Sequence, residues 1–141
     1  MTARTSRPRG VIVVAALLLF AAIMVPIYWI SFFFLGGGVT TEKCYLTFEH
    51  AFPAADAWMA VAAFLGCVGL LRRKPWGILF SLLAGSASIF LGLMDLLFGL
   101  EYGIYWMASP EVATEIAINI LTLVGGPAVV WYVWTRRNSL L

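Results

Sequence analysis

The chain has 141 residues, 62% of them hydrophobic and 11% charged. Soluble domains carry roughly 25% charged residues, so the composition excludes an ordinary water-soluble fold and leaves space for one membrane domain, with no separate soluble module. The net charge of +2 conceals a division, because eight of the nine basic residues sit in three short clusters that contain none of the seven acids.

The first cluster is Arg4, Arg7 and Arg9, just ahead of an apolar run over residues 11–35. That run resembles a signal peptide in its basic flank, but signal h-regions are about 7–15 residues and end in small residues. This one ends in Phe32-Phe33-Phe34-Leu35 and reads as a retained helix. Pro26 is expected to kink it. Gly36-Gly37-Gly38 ends it, and a short polar loop follows to His50.

The second span is expected over residues 51–71, with Pro53 as its first helical residue. Arg72, Arg73 and Lys74 form the second basic cluster. The third span covers 76–100 and the fourth 111–135, followed by Arg136 and Arg137. The positive-inside rule then places both termini and the loop at Arg73 in the cytoplasm, with the loops 36–50 and 101–110 outside. Counted this way the inner side carries +8, and the outer side, with seven acids and Lys43, carries −6. The expected fold is an all-α integral membrane protein, a four-transmembrane-helix bundle forming a single domain over 1–141. Trp76, Trp131, Tyr132 and Trp134 mark the inner boundary, and Trp29, Trp58, Tyr102, Tyr105 and Trp106 the outer one. The Arg-over-Lys and Ala/Gly/Leu bias suggests a GC-rich bacterial genome, hence a multi-pass protein of a plasma (inner) membrane.

Span three carries small residues at helical spacing: Gly77, Ser81 and Gly85, then Ala84, Ser88 and Gly92. Such series let backbones approach closely in lipid, within a bundle or across a homodimer. Gly125-Gly126-Pro127 interrupts span four. It is expected to act as a kink; the alternative is that it frees carbonyls to line a cavity.

Acids inside spans are costly and are functional candidates. Asp95 lies in the last turns of span three, where the helix dipole disfavours it. Asp56 lies at similar depth in span two, with Ala60, Ala63 and Cys67 continuing its face. Ser109-Pro110-Glu111 reads as N-cap, N1 proline and first-turn acid, which accounts for Glu111. Glu115, Asn119 and Thr122 make a polar stripe on span four that should face the interior. His50, whose charge changes near neutral pH, is a candidate proton carrier beside Asp56. Asp95, Asp56, Glu115, Asn119 and His50 are therefore the candidate ligand-binding residues.

No metal site is expected, since Cys44, Glu49 and His50 lack a specific spacing and a fourth ligand. No cofactor is expected either. Cys44 and Cys67 lie roughly 24 Å apart along the helix rise, too far for a disulfide, and no C-x-x-C is present. The insertion rule already explains the basic clusters, which leaves no nucleic-acid signal.

Four spans with intramembrane acids make the chain similar to sterol-isomerase-like membrane proteins in that respect alone, and no residue role is carried over. Small multidrug exporters share the span count, but their essential acid is in the first span, and residues 11–35 contain none. The leading expectation is a small membrane protein with an acidic, outward-facing pocket for a small molecule, a cation or a partner, and no catalytic motif. One alternative is a proton- or cation-coupled carrier. The other is an isomerase-like enzyme acting on a lipid-like substrate, with Asp56 and Asp95 as acid and base.

Overall fold

The computed structural model describes residues 8–141, so Arg4 and Arg7 of the first basic cluster lie outside it. Every regular element among the described residues is helical. Helix α1 spans Arg9–Leu35, α2 Lys43–Glu49, α3 Pro53–Leu71, α4 Pro75–Glu101, α5 Pro110–Ile120 and α6 Gly126–Arg136. A π-helical turn, Leu121–Gly125, joins α5 to α6. Four units are long and apolar enough to cross a membrane: Arg9–Leu35, Lys43–Leu71, Pro75–Glu101 and Pro110–Ser139.

Proline sets most of the helix starts. Pro53, Pro75, Pro110 and Pro127 each occupy the first turn of a helix, where a missing N–H costs nothing and φ is already suitable. Pro26 is different: α1 runs through it as one helix. Gly36 closes α1 in the left-handed conformation, φ 70°, and its N–H bonds the Ser31 carbonyl. The turn from α3 to α4 is tighter still. Arg73 N–H bonds the Leu70 carbonyl and Lys74 N–H the Gly69 carbonyl, while Arg73 takes φ 52°. This is a Schellman motif with arginine where glycine is usual.

Small side chains allow close packing. α1 packs on α3, α3 on α4, and α4 on α6. Ala62, Ala63 and Ser81 are fully buried. A Cβ on Gly77 would strike Gly69 and Leu70 backbone atoms, and one on Gly92 would strike Thr122. The small-residue stripe of α4 is thus filled from within the chain: Gly77 and Ser81 meet α3, while Gly85, Ser88 and Gly92 meet the fourth span. Large apolar side chains such as Ile23, Ile30, Phe90, Leu93 and Val124 remain exposed on the outer faces. In water a surface of that kind would aggregate; in lipid it is ordinary.

The loop expected before span two is partly helical. Tyr45 and Glu49 of α2 are buried, and Phe48 stacks on Phe98 of α4 with ring centroids 3.8 Å apart. Helix α2 therefore forms a roof over the acid-bearing end of the bundle. At the other end, Gly10 of α1 lies against the Tyr132 ring of α6. Between these closures α1 and the fourth span enclose a cavity.

Candidate functional site

The cavity has a volume of about 520 Å³ and reaches from Leu17 and Val129 up to Glu49 and Asp95. Its lining runs from Leu17 to Ser31 on α1 and from Thr114 to Val129 on the fourth span, so its length is about 21 Å by helix rise. Its walls are mainly apolar, with Leu17, Met24, Leu91, Leu121 and Val129 among them. Its polar end is built from Glu49, Asp56, Asp95 and Glu115, with Tyr28 and Trp29 beside them. No Lys, Arg or His lines it among the described residues.

Each acid has a distinct holder. Trp29 donates its indole N–H to Asp56 Oδ2 at 2.9 Å. Tyr28 lies one residue earlier on α1, and its hydroxyl reaches Glu115 Oε1 at 3.2 Å and Glu49 Oε2 at 3.5 Å. Tyr45 donates to the same Glu115 oxygen at 3.3 Å and accepts from the Val39 N–H at 3.2 Å. Asn119 Nδ2 lies 2.6 Å from Asp95 Oδ2, 3.0 Å from the Tyr105 hydroxyl and 3.1 Å from the Glu115 carbonyl. That amide has only two hydrogens for three acceptors. Its orientation follows from Asp95, because Oδ1 would face a carboxylate if the amide were turned over. Burial, and then the charges of Asp95 and Glu115, push the Tyr105 phenol up to about 12, so it remains a donor at neutral pH.

One oxygen of each acid thus takes the protein's hydrogen bonds: Glu49 Oε2, Asp56 Oδ2, Asp95 Oδ2 and Glu115 Oε1. The second oxygen of each takes none among the described residues. Asn119 Oδ1 is also without a partner, but it is buried and Asn119 does not line the cavity.

Of the expected residues, Asp56, Asp95 and Glu115 are brought together at the cavity. Asn119 stands behind Asp95 and orients it. Thr122 also lines the cavity, and its hydroxyl bonds back to the Ile118 and Asn119 carbonyls. His50 is not part of this group. It is exposed, with its ring edge-on to Phe32 and Phe33 and Nδ1 on the Leu46 carbonyl. The reason is its place as the cap of α2, one residue beyond inward-facing Glu49. Ser109 sits at the N-cap of α5 with extended backbone, but its hydroxyl makes no cap hydrogen bond. Cys44 and Cys67 are both free. No group of three or more His, Cys, Asp or Glu among the described residues is placed to hold a metal ion.

Sequence reasoning missed Glu49, Tyr28, Tyr45 and the inward role of Trp29. A signal for Glu49 was present: Glu49 and Asp56 are seven residues apart, two helical turns on one face. Tyr28 and Trp29 stand more than one turn inside the end of α1, deeper than a headgroup belt requires. The Gly125-Gly126-Pro127 break takes the form of the π-helical turn, and Leu121, Thr122, Gly125 and Gly126 all line the cavity. π-bulges of this kind are frequent at functional sites.

Comparison with protein-family models, with curated proteins and with solved structures finds no match.

Proposed function

We propose that this is a multi-pass protein of a bacterial inner membrane, with both termini cytoplasmic, that binds an amphiphilic small molecule between its first and fourth spans. One observation carries the reading: a single cavity has apolar walls along its length and four carboxylates at one end. About 520 Å³ is the scale of a small-molecule site. The cavity wall on α1 includes Leu17, Phe20, Met24 and Ile27, which are 39–50% exposed, so the opening faces the bilayer. A photoactivatable diazirine analogue of dodecan-1-ol tests this. Labelling is expected in both 17–28 and 114–129, and Ala21→Trp should strongly reduce it. Labelling spread over all outer faces, unchanged in Ala21→Trp, would exclude a cavity ligand.

The orientation rests on the eight-to-one basic asymmetry. Reporter fusions after Arg73 and after Leu141 should both report cytoplasm. An external signal from either would invert or break the topology.

A second reading is acid–base chemistry on the bound molecule, such as a double-bond shift. It is favoured by the different holders of the acids: an indole N–H for Asp56, two phenols for Glu115 and a side-chain amide for Asp95. Unequal environments are how paired carboxyls acquire separate acid and base roles. The carrier reading draws on the π-helical turn, but the Gly10–Tyr132 closure at the basic end weighs against an open path there.

A further inference from the structure

We propose that the cavity's ligand is a single-tailed amphiphile with an N–H-bearing amine head, admitted sideways from the lipid between α1 and the fourth span; this rests on the cavity reading above. The head is argued from hydrogen-bond inventory. The polar end offers four carboxylate oxygens that the protein leaves unclaimed, one from each of Glu49, Asp56, Asp95 and Glu115, all of which line the cavity. Asn119 is only 5% exposed, and its amide nitrogen is 2.6 Å from Asp95. That amide holds Asp95 from behind, and an acceptor oxygen facing a mainly apolar cavity without a partner is costly, so a donor from outside the chain would satisfy the unclaimed carboxylate oxygens. The protein's own donors at this end, from Tyr28, Trp29, Tyr45 and Asn119, are spent on the other oxygens. What the site lacks is positive charge and any further N–H donor for the unclaimed oxygens, and an ammonium supplies both. A carboxylate or phosphate head would face four acids with no lining cation. A quaternary ammonium carries charge but no N–H, and is recognised by aromatic faces rather than by acceptor oxygens.

The tail is argued from shape. About 520 Å³ spread over about 21 Å leaves a mean cross-section of about 25 Å², room for one extended chain. A length of about 21 Å also fits within the roughly 30 Å hydrocarbon core. A single-tailed molecule therefore reaches the carboxylates with its head while its tail runs along Leu17, Met24 and Val129.

The test uses the full chain in nanodiscs of a zwitterionic lipid and follows the thermal midpoint against added dodecylamine, dodecan-1-ol, dodecyltrimethylammonium and didodecylamine. A ligand of the folded state raises that midpoint. Dodecylamine is expected to act at about one-tenth the concentration of the alcohol or the trimethylammonium, the scale of hydrogen bonds to charged groups. Didodecylamine, with two chains, should have little effect. The Asp56→Asn/Asp95→Asn double variant should bring dodecylamine to the level of the alcohol, while exposed Glu101→Gln should behave as wild type. If the double variant does not fold, the wild-type probe series decides alone. Equal action of amine and alcohol overturns the amine head and leaves the cavity reading standing. Equal action of didodecylamine overturns the single tail. A midpoint unmoved by every probe overturns both this inference and the cavity reading.

Discussion

Gly77→Ala is expected to destroy the folded bundle. A Cβ at this position would lie 2.2 Å from the Gly69 carbonyl carbon and 2.3 Å from the Leu70 nitrogen. Both are backbone atoms of α3, so no rotamer change relieves the clash, and the helices must separate. The same surface also holds Gly66 against Ser81, so separation there loosens the whole α3–α4 face. Overpacking commonly costs about 1–3 kcal/mol, and a backbone-on-backbone collision belongs at or above the top of that range. Gly85→Leu and Gly92→Leu should also do damage: Gly92 meets Thr122 and Leu123 side chains, which can shift in part, while Gly85 meets the Val130 side chain and, at 3.0 Å, the Gly126 carbonyl oxygen. Gly125→Ala is the control, because nothing lies within 4 Å of its Cβ; a change within about 1 kcal/mol is expected. Thermal midpoint and size-exclusion profile in detergent measure this. A Gly77→Ala protein as stable as wild type would show that α3 and α4 are not in backbone contact.

Glu115→Gln is expected to stabilise the empty protein and weaken amine binding. Glutamine keeps the Oε1 acceptor for Tyr28 and Tyr45. It replaces the unclaimed oxygen with an amide NH₂, removes one of the cavity's negative charges, and offers a donor to the acids around it. Like charges in a poorly hydrated site repel with energies of kcal/mol size, so a gain of about 1 kcal/mol or more is reasonable. Loss of a carboxylate should raise the dodecylamine concentration needed for a given midpoint shift. A lower midpoint in the empty variant would mean that the acids already stabilise each other through protons, and the charge-complementarity argument for the amine head would fall. Stability and binding moving in opposite directions would mark a site whose strain is retained for a ligand.

Much of the fold was legible because lipid imposes simple rules. Length and apolarity located the four long helices, and proline marked their starts to within a residue or two at Pro53, Pro75 and Pro110. Asp56, Asp95 and Glu115 stood out because an acid inside a span needs a reason. Glu49 was hidden because residues 43–49 are polar enough to read as loop. Only tertiary packing, through Tyr45 and the Phe48–Phe98 stack, shows that they fold back as a helix. His50 was misjudged by the same uncertainty of register, since one residue decides whether a side chain on α2 faces in or out. Trp29 was read as a boundary marker because aromatic belts are common; its N–H on Asp56 depends on which face of α1 meets α3. Helical periodicity alone does not specify that face when every face is apolar.

The Tyr28–Glu115 bond joins residues 87 apart in the sequence, and this bears on how the protein is made. Synthesis delivers the spans in order, so Trp29 can satisfy Asp56 as soon as the second span is in place. Glu49 likewise has Tyr28 at that stage, whereas Asp95 must wait for Asn119 and the Tyr28–Glu115 bond for Glu115, both of which arrive with the last span. A chain halted before residue 110 would leave the Asp95 carboxyl without the Asn119 amide, a cost that the fourth span removes. Docking of the fourth span is therefore the step that completes the hydrogen bonding of the Asp95 carboxyl.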